Sequence, residues 1–348
     1  MLKPNSSVYV FGGGTFGIDA AGFLAEYGIN VEGILDNAKT GTLGKWNVTH
    51  PSSADSNITV ILGVCNLAVD LNLVAEDLRR YGFTEFVTPV ELYRFLELQG
   101  LDKDHYWLTT KSGLYLECKA KIQSFYNLLI DEESRSLLDK LIKYRTEGKM
   151  EDLPEVHPVS HQYLPFDLNV VPSPLHLADC GAFVGEILDF AHERNFVVTT
   201  YYGFEPDPIN FEKLVLRVKA LPETIPGTVF PLGVAEKSKQ VRFSADGTLG
   251  AAISTHGETV IQVASLDEVL VNQPINYIKM DIEGAEMDAL VGSLSILKKN
   301  KPNLAISIYH KPDDLWEIGL WLDELNLGYK FAIRQYGHQC FDTVLYAF

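Results

Sequence analysis

Two stretches in the second half of the chain set acids and glycines at spacings that can do chemistry. The first is Leu175-His176-Leu177-Ala178-Asp179-Cys180-Gly181-Ala182-Phe183-Val184-Gly185, an apolar run ending in an acid and two glycines, with the helix-like Ile187-Leu188-Asp189-Phe190-Ala191 behind it. Strand, tight turn and helix in that order let backbone approach a ligand, because glycine has no Cβ. Twenty residues past Gly185, a second apolar run ends in Gly203-Phe204-Glu205-Pro206. A carboxylate at that point can accept hydrogen bonds from both hydroxyls of a ribose. No Gly-Lys-Ser/Thr follows the first turn, and its spacing is Asp-x-Gly-x-x-x-Gly, which suits a nucleoside without a pyrophosphate. Asp179, Gly181, Ala182, Phe183, Gly185, Glu205 and Pro206 are therefore the candidate cofactor-binding residues.

The second stretch is Ile278-Lys279-Met280-Asp281-Ile282-Glu283-Gly284-Ala285-Glu286. Acids at the carboxyl end of a strand sit where α/β sheets bind ligands, so Asp281 is expected to face both cofactor and substrate. Glu286 is expected to support the helix it begins, where its charge also suits the dipole. Glu283 is open between the two roles. Ile306-Ser307-Ile308-Tyr309-His310 places a histidine at the end of the next strand, where an imidazole can act as base toward a hydroxyl. Asp281, Glu283 and His310 are the candidate catalytic residues. A divalent metal shared by these three is the alternative, but no defined ligand spacing supports it and no metal is assigned.

The elements that must position these residues alternate between strand and helix. From residue 175 onward, strands are expected near 175–180, 197–204, 228–235, 276–281 and 303–309, with helices at 210–219, 286–297 and 313–325. A hairpin-like excursion pairs Val241-Arg242-Phe243-Ser244 with Val260-Ile261-Gln262-Val263, with Gly247, Gly250 and Gly257 between them. Tyr329 to Gln335 and Phe341 to Phe348 are joined by a short turn and must run antiparallel.

The first 92 residues carry a pattern of their own. Val8-Tyr9-Val10-Phe11 leads into Gly12-Gly13-Gly14-Thr15-Phe16-Gly17, a formal Gly-x-Gly-x-x-Gly, and Gly33-Ile34-Leu35-Asp36 ends in an acid where a dinucleotide-binding unit has its ribose ligand. A nucleotide or nucleotide-sugar, a nicotinamide cofactor, or helix–sheet packing alone are all compatible with Gly12–Gly17. Residues 93–174 read as a helical connector followed by a linker with five prolines between Glu151 and Pro174. His157, His161 and Tyr163 in that linker could reach a substrate, but a surface loop is the favoured reading.

Composition bounds the partners. The 348 residues carry a net charge of −17 and no basic cluster, so nucleic acid and anionic membrane are disfavoured. No apolar run approaches about 18 residues, and the N-terminus lacks a signal-peptide pattern. The four scattered cysteines, with no Cys-x-x-Cys, suit a reducing cytoplasm. A homo-oligomer is compatible with all of this.

Five blocks occur in order: Asp179-Cys180-Gly181-Ala182-Phe183-x-Gly185, Gly203-Phe204-Glu205-Pro206, Ser265-Leu266-Asp267-Glu268, Ile278 to Glu286, and Asp342-Thr343-Val344-Leu345-Tyr346. Together they resemble the FkbM family of S-adenosylmethionine-dependent O-methyltransferases. The resemblance runs from about Ser134 to the C-terminus, and the Lys-x-Asp-x-Glu-Gly block is its distinctive part. It implies a class I methyltransferase Rossmann-like α/β fold, with a mostly parallel sheet and an antiparallel C-terminal hairpin, at residues 175–348. It implies S-adenosyl-L-methionine as cofactor and a hydroxyl of a sugar, glycan or polyketide-like small molecule as acceptor. The small Rossmann-like domain at 1–92 stands outside that pattern. Its run Gly33 to Asn37 is similar to N-terminal domains of some sugar acyltransferases and sugar-modifying enzymes. A nicotinamide-linked or nucleotide-sugar-binding enzyme, or a ligand sensor using the first glycine loop, is the competing reading.

Overall fold

In the computed structural model, residues 6–100, 113–222, 225–244, 252–253 and 259–348 are described. The chain divides into two compact units. One comprises residues 1–120, 136–156 and 337–341, and the other comprises 121–135, 157–336 and 342–348. This differs from the contiguous division at 92 and 174 that the sequence suggests. The connector is shared out, its segment 136–156 joining the N-terminal unit and 157–174 the C-terminal one. Hydrogen bonds between positions far apart in sequence tie the pieces of the N-terminal unit together. Thr88 Oγ1 donates to the carbonyl of Gly148 at 2.6 Å, and the His338 amide donates to Leu67 O at 2.7 Å.

The N-terminal unit is a six-stranded sheet in the order Gly41–Leu43, Trp46–Thr49, Asn30–Leu35, Ser7–Phe11, Thr59–Leu62, Phe86–Val87. Its inner strands are parallel, as expected of apolar runs joined through the helices Thr15–Glu26 and Leu71–Arg80. The antiparallel pair Gly41–Leu43 and Trp46–Thr49 was not foreseen, because strands this short carry too little alternation to read. Val8, Val10, Ala21, Leu24 and Ile61 are fully buried in one apolar cluster of this unit.

The C-terminal unit holds a seven-stranded sheet in the order Phe331–Gln335, Thr343–Ala347, Asn303–Ser307, Tyr277–Met280, Leu175–Cys180, Val198–Phe204, Gly227–Phe230. The last five are parallel to one another, and Thr343–Ala347 inserts antiparallel between Asn303–Ser307 and Phe331–Gln335. This is the class I methyltransferase-like layout, with its antiparallel hairpin at one edge. Its core includes Leu175, Leu177, Tyr201, Leu214, Tyr277 and Tyr346, all fully buried. The strand order also sets the site. It puts the carboxyl ends of Val198–Phe204, Leu175–Cys180, Tyr277–Met280 and Asn303–Ser307 side by side.

A separate four-stranded sheet contains the foreseen excursion, Lys239–Ser244 antiparallel to Thr259–Ala264. Gly247, Gly250 and Gly257 lie outside the described residues. Two expected elements are broken. The strand expected at 228–235 stops at Phe230, where Pro231 has no amide to continue a ladder, and Gly233–Val234 joins the other sheet. The helix expected at 286–297 is two, Glu286–Val291 and Leu294–Asn300. Asp267 separates them, accepting from the amides of Ser295 and Ile296 while its own amide donates to Gly292 O. No described helix is long and apolar enough to cross a membrane.

Candidate active site

The turn after Leu175–Cys180 is shaped by one close approach. Gly181 has φ +74°, and a Cβ built on it would lie 1.8 Å from the carbonyl oxygen of Asp281. No side chain fits there, so the first glycine turn and the acid-rich strand end are in direct contact. The Asp281 amide also donates to Cys180 O at 3.0 Å. Phe183 adopts φ +50°, and Gly185 at φ +80° leads into the helix Glu186–Glu193.

Glu205 closes the turn from the neighbouring strand. Its Oε2 accepts from the Phe183 amide and its Oε1 from the Asp207 amide, both at 2.8 Å. Pro206 lies between, at the start of the turn into the helix Pro208–Lys219. Burial pushes the Glu205 carboxyl up to about 7 against the pull of those two amides and of Lys279. Each oxygen keeps a further lone pair, and no cation among the described residues lies within ion-pair distance of it. A buried carboxylate in that condition fits a pair of ribose hydroxyls.

Asp179 is placed differently from expectation. It is 1% exposed, with Oδ2 accepting from the Tyr201 hydroxyl at 2.8 Å and Oδ1 facing Lys279 Nζ at 3.1 Å. The Lys279 ammonium also donates to Gly181 O and lies 5.0 Å from the centre of the Tyr163 ring. Asp179 thus acts within the sheet as the partner of a buried cation. The backbone of Gly181–Phe183 and the Glu205 carboxylate are what the turn presents. Lys279 carried a signal in the sequence, since a charge inside an apolar strand must have a partner.

At the ends of Tyr277–Met280 and Asn303–Ser307 the structure brings the three catalytic candidates together. His310 Nε2 lies 3.4 Å from Asp281 Oδ1 and 3.6 Å from Glu283 Oε2. Its Nδ1 lies 3.0 Å from Oε1 of Glu286, which also accepts from the Ile282 amide. Glu286 is fully buried and does more than begin its helix, since it backs the imidazole. Glu283 sits at φ +55°, in the left-handed region that non-glycine residues rarely adopt.

Tyr163, read from the sequence as surface loop, is buried at this site. Its hydroxyl donates to Asp281 Oδ2 at 2.6 Å and lies 3.3 Å from Ser307 Oγ. The segment 157–174 carries no periodic pattern that would announce this role.

Burial alone disfavours a charged imidazole, but Glu286, then Asp281 and Glu283, outweigh it and lift His310 to about 10. Burial lifts Glu283 to about 7, with the charges of Asp281 and Glu286 adding and His310 opposing. Asp342, also buried, is pushed to about 7, and Asp281 adds to the shift. The acids around His310 thus favour its charged form.

In the N-terminal unit, Asp36 already accepts from three amides: Gly13 through Oδ2, and Ala38 and Lys39 through Oδ1, each at 2.9 Å. The Lys39 ammonium reaches Gly13 O at 2.7 Å.

Comparison with known proteins bears on the C-terminal unit. Residues 179–332 match the family model described as the Methyltransferase FkbM domain. No curated protein matches the chain significantly. Among solved structures, methyltransferase FkbM from Methylobacillus flagellatus KT is similar with a TM-score of 0.81 and 22% identity, covering 99% of this chain and 90% of that one. That likeness shows the fold. Aeropyrum pernix fibrillarin, whose structure has S-adenosyl-L-methionine natively bound, aligns at a TM-score of 0.32 and 9% identity over 53% of this chain and 70% of that one. The matched residues span the Gly181 turn, Glu205, Asp281, Glu283 and His310, so the similarity to the methyltransferase FkbM domain covers the candidate site.

Proposed function

We propose that the chain transfers a methyl group from S-adenosyl-L-methionine to a hydroxyl of a carbohydrate or polyketide-like small molecule. One observation carries this reading: Gly181 and Asp281 are packed so closely that the nucleoside-type turn and the acid–imidazole cluster form one site. The cofactor, when bound, supplies a methyl group made electrophilic by its sulfonium. Gly181, Ala182 and Phe183 would offer it backbone, Glu205 would accept its ribose hydroxyls, and the end of the Asp281 strand would border it. Asp281, Glu283 and His310 would face the acceptor, hold its oxygen in line with the methyl carbon and accommodate the proton that leaves. The Asp281 and Glu283 side chains are 23% and 18% exposed, which supports access of an acceptor to the cluster.

The experiment is direct. The protein is incubated with isotope-labelled cofactor and a panel of sugars, glycans and hydroxylated macrolides, and the product is read by mass spectrometry and NMR. A methyl on oxygen with one equivalent of S-adenosylhomocysteine is expected. A methyl on nitrogen or carbon, or no S-adenosylhomocysteine binding by calorimetry, would overturn the reading.

A nucleotide or nucleotide-sugar at Gly12–Gly17 is a separate proposal. Gly14 and Thr15 are exposed where the helix Thr15–Glu26 begins, which supports it, while the three amides bonded to Asp36 leave it less capacity for a ribose.

A further inference from the structure

The most buried of the three catalytic candidates is the least satisfied. The His310 side chain is 2% exposed, and neither of its ring nitrogens makes an aligned hydrogen bond. Asp281 Oδ1, the oxygen nearest Nε2, is likewise buried without a hydrogen-bond partner, although Oδ2 of the same carboxylate takes the Tyr163 hydroxyl. Buried polar atoms are almost always partnered, so two of them converging on one point need an explanation.

We propose that Asp281, Glu283 and His310 hold a divalent metal cation through Asp281 Oδ1, Glu283 Oε2 and His310 Nε2. One donor atom from each residue lies within 4.8 Å of the others. Around a small octahedral cation with bonds of about 2.1 Å, neighbouring donors are about 3 Å apart and opposite ones about 4.2 Å. The observed 3.4 and 3.6 Å from Nε2 to the two oxygens therefore need only small side-chain shifts. Two carboxylates neutralise a double charge. One imidazole beside two carboxylates suits manganese(II) better than calcium, which prefers oxygen alone, or copper, which prefers more nitrogen or sulfur.

Glu286 supplies what a metal-bound histidine ordinarily has behind it. A ligating imidazole presents its second nitrogen to a carboxylate, which fixes its orientation. Glu286 Oε1 stands 3.0 Å from Nδ1 and is itself held by the Ile282 amide. Glu283 is kept in a left-handed conformation by the turn, and strained backbone of this kind concentrates at ligand clamps. The binding of the cation stands on these contacts. Only its purpose, holding an acceptor hydroxyl and making it more acidic, rests on the methyl-transfer reading.

The test is manganese binding by the intact chain after chelator treatment, followed by equilibrium dialysis and electron paramagnetic resonance, with S-adenosylhomocysteine titrated into the same samples. One manganese per chain is expected, with a nitrogen coupling in pulsed spectra. His310→Gln should abolish that coupling, and Glu286→Gln should weaken binding about 10- to 100-fold. Circular dichroism checks folding, and Glu283→Gln replaces His310→Gln if the latter does not fold, with weakened binding expected. No manganese on a wild-type protein that binds S-adenosylhomocysteine would overturn the metal centre, as would undiminished binding in the variants. Manganese bound without S-adenosylhomocysteine would retain the metal and overturn the cofactor reading.

Discussion

Glu205 shows how burial converts a simple carboxylate into a switchable ligand. Its ordinary range is near 4.3, and desolvation in the turn moves it to about 7. Below that value the carboxyl holds a proton, one oxygen becomes a donor, and the acceptor capacity for two hydroxyls is lost. Cofactor affinity should therefore be full above pH 7 and fall as pH drops, by roughly tenfold between pH 8 and pH 6 for one such group. Glu205→Gln should be weaker at pH 8 by about 1.5–3 kcal/mol, the range for a hydrogen bond to a charged group, and should show a flattened pH profile. Calorimetry with S-adenosylhomocysteine reads both. A wild-type affinity constant across this interval, or a variant that keeps the wild-type slope, would move the ribose away from Glu205. The position of this residue was legible, because an acid ending the second strand is a local pattern. Its raised pKa was not, since that depends on what the fold packs around it.

Single strands at this site do two jobs at once, and the sequence displayed only one. Tyr277–Met280 reads as a buried strand that delivers Asp281, which the structure bears out. Its Lys279 also reaches across to the neighbouring Leu175–Cys180 strand, pairing with Asp179 and bonding Gly181 O. The glycine turn is thus braced from the same strand that carries the acid. The structure pairs the expected ligand Asp179 with that lysine, and in sequence an acid before a glycine turn looks the same whether it faces a ligand or a lysine. The favoured surface-loop reading of Tyr163 fails because only the fold brings residues 118 positions apart together, as in its bond to Asp281. The brace predicts a specific stability pattern. Lys279→Met leaves Asp179 buried with Tyr201 as its remaining partner and should cost about 3–5 kcal/mol, as breaking a buried pair does. Replacing both members, Lys279→Met with Asp179→Leu, removes the stranded charge and should cost less than the single change. Urea denaturation of the three proteins decides it. A Lys279→Met protein within 1 kcal/mol of wild type would show that the pair braces nothing.

Across the whole molecule, both α/β sheets were legible because apolar runs ending at turn glycines are local signals, and the antiparallel terminal pair followed from its short loop. The division of the chain was not legible. Residues 136–156 and 337–341 belong with the N-terminal unit through contacts such as Gln339 Nε2 to Asn66 O at 3.1 Å, 273 positions away. The glycines at 12–17 leave the largest functional question at this scale, and the structure separates their two possible roles. A Cβ on Gly17 would lie 2.0 Å from Gly12 O, so this glycine lets helix and strand touch. Gly14 is different: it has φ −90°, ψ 178°, which any residue adopts, and a Cβ there meets nothing within 4 Å. Gly17→Ala should therefore destabilise the protein by about 1–3 kcal/mol, the cost of overpacking. Gly14→Val should leave the melting temperature unchanged, yet its side chain would fill the space a phosphate would occupy. A ligand that binds only the folded state raises that temperature by mass action. If a UDP-sugar or NAD binds at this loop, it should stabilise the wild type, and Gly14→Val should erase the shift while the response to S-adenosylhomocysteine persists. If no nucleotide moves the wild-type melting temperature, the loop serves only to seat its helix on the sheet. A nucleotide shift that survives Gly14→Val would place that ligand elsewhere on the chain.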